Sequence, residues 1–160
     1  MNNSAADQPK YAITEIERRW LVDPSTLGSL EDRPYSDIED RYISHTQLRL
    51  RKITNAQGSV AFKLCKKYGK ANALTEPITN LYLSETEYLL LAQQLKGDVV
   101  CKRRYLFAGG AIDVYENAST VLFEVEFKSE SDARGYEPPA FVLHEITNNA
   151  AYSGAALAAK

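Results

Sequence analysis

Charged side chains occur at every second position in several strand-like segments of this sequence. In the first segment, Glu15, Glu17 and Arg19 fall on one face of a strand, because successive side chains point to opposite faces. Ile16 and Trp20 fall on the other face. One face of this strand is therefore charged along its length, and later segments repeat the pattern with charges of both signs.

The charged strand faces could lie either in the protein interior or in water. In the later segments the aligned charges are Arg49 and Arg51, Lys63, Lys102 and Arg104, Asp113, and Glu124 with Glu126. The opposite faces are comparatively apolar, as at Leu48 and Leu50. A charged interior would have to contain counter-charges, since burying an unpaired charge costs several kcal/mol. Alternation alone is equally compatible with a polar sheet face in water.

The order of the predicted elements favours a barrel. Strands are expected over about residues 11–22, 39–44, 47–53, 59–66, 74–83, 99–107, 111–115 and 121–128. A capping box at Ser84 starts the most clearly marked helix, and shorter helices are expected after Pro24, after Ser129 and over residues 150–160. Closure removes exposed strand edges, so we predict a mainly β (α+β) fold in which eight antiparallel strands form a closed barrel with a few flanking helices.

Length and composition narrow the class of protein. The 160 residues predict a single domain over 1–160 with a flexible arm at 1–10. The 19 basic and 21 acidic residues leave a net charge of -2, which gives no reason to expect nucleic acid or an anionic membrane as a partner. No apolar run approaches the roughly 18 residues of a membrane span, and the N-terminus lacks a signal-peptide core. Cys65 and Cys101 lack metal-ligand spacing, and free thiols fit a reducing compartment, so we expect a cytoplasmic protein.

The two acidic segments suggest a cation site. Carboxylates two residues apart on a strand stand about 7 Å apart on one face. Two such strands, one with Glu15 and Glu17 and one with Glu124 and Glu126, could converge on one or two hard divalent cations such as Mg2+ or Mn2+. The basic segments would then hold a polyanion, because arginine makes bidentate contacts to phosphate. A metal site beside a basic clamp is typical of phosphoryl transfer.

A family resemblance supports this interpretation. Glu15-Ile16-Glu17-Arg18-Arg19 closely resembles the ExExK signature of the CYTH superfamily, also called the triphosphate tunnel metalloenzymes. The other landmarks of that family follow in order over nearly the whole chain: Leu48-Arg49-Leu50-Arg51, Phe62-Lys63-Leu64, Glu76-Pro77-Ile78-Thr79-Asn80, Lys102-Arg103-Arg104-Tyr105, Ile112-Asp113-Val114-Tyr115, Phe123-Glu124-Val125-Glu126-Phe127, and Tyr152 with Leu157-Ala158. The signature departs at its third position, where Arg19 keeps the charge of lysine but changes its reach and geometry.

The resemblance implies an eight-stranded tunnel that binds triphosphate and needs Mg2+ or Mn2+. The metal ligands, or their close supports, would be Glu15, Glu17, Asp113, Glu124 and Glu126. The substrate-binding residues would be Arg19, Arg49, Arg51, Lys63, Glu76, Lys102 and Arg104. Lys102 matches the family lysine thought to act near the scissile group, and Lys102 and Glu17 are the expected catalytic residues. Water would attack a terminal phosphorus, giving orthophosphate and diphosphate.

The strand over residues 59–66 is ambiguous in register. The family lysine could correspond to Lys63, to the position of Cys65, or to Lys66. Alternation favours Lys63, because Lys66 falls on the apolar face of this strand. Lys66, Lys67 and Lys70 are therefore expected at the mouth of the tunnel or in solvent.

Several functions stay open at this point. A hydrolase of inorganic triphosphate or a related compound is favoured. An adenylate cyclase of the class IV type would share the fold, but such proteins resemble one another in a His-Phe pair upstream of ExExK, where this chain has Pro9-Lys10. A thiamine triphosphatase and a non-catalytic polyphosphate-binding module are further alternatives, the latter because of Arg19. Homodimerisation through an outer sheet face is compatible with the fold.

Overall fold

A computed structural model describes residues 9–116 and 119–160. The strands are β1 (Ile13–Val22), β2 (Tyr35–Ile43), β3 (Leu48–Thr54), β4 (Val60–Lys67), β5 (Thr75–Leu83), β6 (Gly97–Phe107), β7 (Gly110–Tyr115), β8 (Thr120–Glu126) and β9 (Val142–Glu145). The helices are α1 (Pro24–Leu27), α2 (Glu85–Gln94), α3 (Glu130–Gly135) and α4 (Gly154–Ala158), with a 3-10 turn over Ala150–Tyr152. In the described part of the chain, no helix is long and apolar enough to cross a membrane. The expected arm over residues 1–10 lies mostly outside the described residues.

Strands β1 to β8 close into an antiparallel barrel. Their order is β5-β4-β3-β2-β6-β7-β8-β1, and β1 also pairs with β5. Residues 13–16 of β1 pair with residues 75–78 of β5, whereas residues 17–21 pair with residues 122–126 of β8. Strand β9 lies outside this closure and pairs with residues 20–22 of β1. The predicted fold class, a mainly β closed barrel with flanking helices, is confirmed.

Two elements differ from the sequence prediction. Strand β2 begins at Tyr35, earlier than expected, because it pairs with β6 from Tyr35 opposite Tyr105 to Ile43 opposite Gly97. The single C-terminal helix expected over residues 150–160 is instead the 3-10 turn followed by α4. Ser153 separates the two, with an extended backbone and a side chain that caps α4 by accepting a hydrogen bond from Ala156 N at 3.2 Å.

The apolar faces of most strands point away from the barrel interior. On one side, Trp20 and Phe123 lie with their ring centroids 5.8 Å apart in a cluster that includes Leu27 of α1. On another side, Tyr88 of α2 packs on Phe62 at 4.7 Å between ring centroids. Each large apolar side chain buried in this way contributes about 1.5–3 kcal/mol. The packing leaves the charged faces of the strands directed inward.

One level of the barrel interior is apolar. Val100, Tyr115 and Leu122 lie on the same strand faces as the charged residues, two positions away along β6, β7 and β8. They form a buried cluster with Ile146 and with Leu157 of α4. The C-terminal part of the chain therefore packs against the inner face of the barrel, beside the charges.

Candidate active site

The charged inner face surrounds a cavity of about 750 Å³. Its lining includes most of the site residues predicted from the sequence: Glu15, Glu17, Arg19, Arg49, Arg51, Glu76, Lys102, Arg104, Glu124 and Glu126. The turn between β2 and β3, at residues 44–47, and C-terminal residues between 147 and 155 complete the wall. The volume lies in the usual range for a small-molecule site.

One side of the cavity is acidic. Glu15 lies opposite Glu76 where β1 meets β5, and Glu17 lies opposite Glu126 where β1 meets β8. Side chains paired in this way have Cβ atoms about 4.5–5.5 Å apart, and like charges placed there repel. Two like-charged pairs therefore follow each other along β1, and a positive charge between them would lower their repulsion.

The pKa of Glu17 reflects burial and neighbouring negative charges. Its side chain is only 15% exposed. Burial, together with the negative charges of Glu124 and Glu15, raises the pKa of Glu17 from 4.5 to about 7. The positive charges of Lys67 and Arg19 lower this pKa, but burial and the neighbouring carboxylates outweigh that neutralisation.

Lys67 supplies part of that neutralisation. Its Nζ donates hydrogen bonds to Glu15 Oε2 at 3.1 Å and to Glu76 Oε2 at 3.2 Å. Burial opposes the charge, but the carboxylates of Glu15 and Glu17 raise the pKa of Lys67 above its ordinary value, so it remains an ammonium. The sequence pattern predicted Lys67 at the mouth of the tunnel or in solvent. Strand β4 runs one residue further than predicted, so Lys67 falls on the inward face, two positions after Cys65.

Lys63 occupies the inward face but not the cavity. Alternation predicted this face, and the register of β3 and β4 places Lys63 opposite Arg51. Its ammonium, however, stands over the ring of Tyr82 at 4.8 Å from the centroid, and Lys63 does not belong to the cavity lining. Among the lysines of β4, the structure brings Lys67 into the cavity.

The opposite side of the cavity is basic, and Asp40 organises part of it. Asp40 is 1% exposed and accepts hydrogen bonds from Arg51 Nε and Nη2, each at 2.6 Å. Arg49 Nε lies 3.7 Å from the same carboxylate. Burial would raise the pKa of Asp40, but the hydrogen bonds and charge of Arg51 hold it below its usual value. Sequence analysis missed Asp40, although it lies directly opposite Arg51 on an inward face.

Asp113 plays the corresponding part for the other two cations. It is fully buried and accepts hydrogen bonds from Lys102 Nζ and from Arg104 Nε, the latter at 2.7 Å. Arg104 Nη2 also donates to Glu124 Oε2 at 2.6 Å. Burial would raise the pKa of Glu124, but Arg104 and Lys102 hold it well below its usual range. Asp113, predicted to assist a metal, thus lies behind the basic residues and does not line the cavity.

Several further lining residues were not among the site residues predicted from the sequence, although one of them, Tyr115, ends the motif Ile112-Asp113-Val114-Tyr115. Tyr115 contributes a hydroxyl 3.3 Å from Lys102 Nζ. His45, in the turn after β2, has a positive φ of 61° and lines the cavity. Asn148 and Asn149 come from the C-terminal segment, which has no strand periodicity that could have indicated their position.

The acidic side fits a hard cation by the chemistry of its donors. Carboxylate oxygens are the ligands that Mg2+ and Mn2+ prefer. Among the residues that the structure describes, no three carboxylate, imidazole or thiol side chains are grouped closely enough to hold a metal ion as they stand. The ammonium of Lys67 instead provides the positive charge between Glu15 and Glu76. The carboxylates of the acidic side are therefore suitable ligands for such an ion, and the ammonium of Lys67 would compete with the ion for them.

Comparison with known proteins identifies the family. The chain is 30% identical to the inorganic triphosphatase of Nitrosomonas europaea, over 91% of this chain and 97% of that protein. A crystal structure of the inorganic triphosphatase NE1496 matches with a TM-score of 0.57 at 25% identity, covering 92% of this chain and 96% of that one. A crystal structure described as the hypothetical protein NE1496 matches in fold, with a TM-score of 0.58 at 24% identity over 91% of this chain and 98% of that one. No protein-family model matches the chain. This chain belongs to the family of the Nitrosomonas inorganic triphosphatase.

Proposed function

We propose that this protein hydrolyses inorganic triphosphate to diphosphate and orthophosphate, with Mg2+ or Mn2+. The observation that carries the proposal is that one cavity is lined by glutamates of β1, β5 and β8 and by arginines and lysines of β3 and β6, which meet where Arg104 binds Glu124. The relative's name, inorganic triphosphatase, supports the choice of substrate. A polyphosphate chain that bridges the two sides would meet a cation on one and basic side chains on the other.

The basic side chains are suited to hold phosphate oxygens. Arg49, Arg51 and Arg104 line the cavity, and Arg51 and Arg104 are oriented by buried aspartates. Charge-assisted hydrogen bonds from arginine are roughly twice as strong as neutral ones and can be bidentate. Salt screens buried charges much less than exposed ones. Arg51 and Arg104 would bind two successive phosphoryl groups, with Lys67 as a further contact once it leaves the glutamates.

The acidic side would hold the metal. Glu15, Glu17, Glu124 and Glu126 are the proposed ligands or their supports, and Asp113 acts on the ion only indirectly, through the residues that it contacts. When bound, Mg2+ or Mn2+ would neutralise charge on the phosphoryl oxygens and help to orient them. Glu76 would stay paired with Lys67 or exchange it for the ion.

Lys102 and Glu17 are the proposed catalytic residues. The Lys102 side chain is 5% exposed and is held by Asp113 and the Tyr115 hydroxyl. Such a fixed ammonium can stabilise the negative charge that develops on the transferred phosphoryl group or on the departing diphosphate. Glu17 has two carboxylate oxygens, so it can act as a ligand through one and orient the attacking water through the other.

The first experiment measures orthophosphate release from inorganic triphosphate, ATP and thiamine triphosphate, with EDTA, Mg2+ or Mn2+, and measures cyclic AMP in the ATP samples. We expect metal-dependent release that is strongest with inorganic triphosphate and is lost in Glu17→Gln. The exposed Glu31→Gln is the matched control and should keep full activity. Cyclic AMP without orthophosphate would instead indicate a cyclase. Triphosphate binding without turnover would indicate a binding module.

A further inference from the structure

Arg19 joins strand β1 to the C-terminal segment that completes the cavity. Its main-chain N–H donates to Thr147 Oγ1 at 3.0 Å, and its carbonyl accepts from Ile146 N at 2.8 Å. Its side chain reaches further along the same segment, where Nη2 donates to the carbonyl of Tyr152 at 3.0 Å. One residue of the signature segment therefore makes three hydrogen bonds to residues 146–152.

The guanidinium of Arg19 also faces the acidic residues. Its Nε lies 3.6 Å from Glu124 Oε1 and 4.0 Å from Glu17 Oε1. This Nε is buried and has no hydrogen-bond partner among the described residues. A guanidinium can bridge a carbonyl on one edge and carboxylates on another, because its donors are spread over a rigid plane. A lysine, as in the ExExK signature, presents all its donors from a single nitrogen and is less suited to partners on two sides.

The segment held by Arg19 forms part of the cavity surface. We name residues 147–155 the C-terminal wall, because most of them line the cavity. The wall fits closely against the barrel: a Cβ atom added at Gly154 would lie 1.8 Å from the hydroxyl oxygen of Tyr42. With so little free space between Gly154 and β2, a displacement of the wall would change the shape of the cavity.

We propose that Arg19 is a positioning residue that holds the C-terminal wall against β1 and links its position to the charges of Glu17 and Glu124. The hold on the wall does not depend on what the cavity binds. Its effect on catalysis rests on the proposed function, in which Glu17 and Glu124 are metal ligands or their supports. Arg19 thereby acts on triphosphate through the shape of the wall as well as through its own charge.

The test is hydrogen–deuterium exchange of the ligand-free, full-length protein, read by mass spectrometry. In Arg19→Lys, peptides that cover residues 152–158 should exchange at least about tenfold faster, as expected for the loss of one hydrogen bond from a charged donor. Arg18→Lys is the matched control. Arg18 is the neighbouring arginine on the opposite face, and it binds Glu145 and the carbonyls of Ala133 and Tyr136. This control should affect peptides around residues 133–136 and around Glu145, whose Oε1 also accepts a hydrogen bond from Thr147 Oγ1, and it should leave residues 152–158 unchanged.

Two results would overturn the proposal: unchanged exchange of residues 152–158 in Arg19→Lys, or an equal increase there in Arg18→Lys. If Arg19→Lys does not fold, Arg19→Gln is measured in the same way, because glutamine is neutral and its side chain is shorter than that of arginine. In active enzyme, Arg19→Lys should raise KM for inorganic triphosphate by more than it lowers kcat. A fall in kcat alone, with a protected wall, would show that Arg19 acts directly in the chemistry. Faster wall exchange in a protein without triphosphatase activity would support the positioning role and refute the proposed function.

Discussion

Replacement of Glu17 by glutamine tests two effects of this carboxylate, its effect on the free energy of unfolding and its role in binding Mg2+. Burial and the charges of Glu124 and Glu15 raise the pKa of Glu17 from 4.5 to about 7 in the folded protein. The folded state therefore binds this proton more tightly than the unfolded state does. The free energy of unfolding is unaffected below about pH 4.5, falls as the pH rises towards 7, and is then lower by about 3 kcal/mol.

Glutamine has nearly the same shape as glutamate but cannot ionise. In EDTA at about pH 8, we expect Glu17→Gln to be about 1–3 kcal/mol more stable than the parent protein, a rise in Tm of about 2–10 °C. Near pH 4.5 the two proteins should melt together. Thermal unfolding at both pH values, with and without Mg2+, measures the difference.

Mg2+ provides the second half of this test. An ion that binds the folded state raises its stability by mass action, so the parent should be stabilised by Mg2+ and Glu17→Gln much less. The exposed Glu31→Gln should behave like the parent in every condition. A variant that is less stable than the parent in EDTA at pH 8, or that gains as much from Mg2+, would refute the reasoning.

Three further substitutions test other parts of the site and the fold. Arg51→Ala should weaken the binding of inorganic triphosphate at least tenfold in calorimetry, since a charge-assisted hydrogen bond contributes about 1.5–3 kcal/mol; an equal loss in the exposed, outward-facing Lys52→Ala would contradict a specific role. Lys67→Met should bind Mn2+ more tightly than the parent in the absence of triphosphate, because the variant lacks the ammonium that bridges Glu15 and Glu76. Weaker Mn2+ binding would argue that the ammonium does not compete with the ion. Gly97→Ala should lower the free energy of unfolding, measured by urea denaturation, by about 1–3 kcal/mol or more, because a Cβ atom at position 97 would lie 2.0 Å from the carbonyl oxygen of Tyr42. A variant as stable as the parent would show that the structure relaxes to relieve this contact.

Strand alternation predicted which side chains share a face of each strand, because the two-residue period is a local property of the backbone. Glu17, Arg51 and Lys102 line the cavity as their positions in the pattern indicated. Alternation does not determine the height of a residue along the barrel axis. Lys63 and Lys67 share a face of β4, yet the first lies over Tyr82 and the second lies among the glutamates.

Which residues contact each other across neighbouring strands was harder to predict than which side chains share a face of one strand. The pairing of Asp40 with Arg51 depends on the register between β2 and β3, and β2 itself begins earlier than its sequence suggested. The contact between Arg19 and Tyr152 joins residues far apart in the chain, and the C-terminal wall has no regular pattern. Such contacts follow from how the barrel closes, which is a property of the whole chain and not of any one segment.

The buried aspartates have a consequence for the rate and cost of binding. Asp40 holds Arg51, and Asp113 holds Lys102 and Arg104, through hydrogen bonds within the protein itself. Fixing a long side chain costs about 0.5–1.5 kcal/mol, and here that entropy is lost during folding instead of during association. An incoming polyanion would therefore find a preorganised surface, and differences in affinity among substrates should appear mainly in how slowly they dissociate.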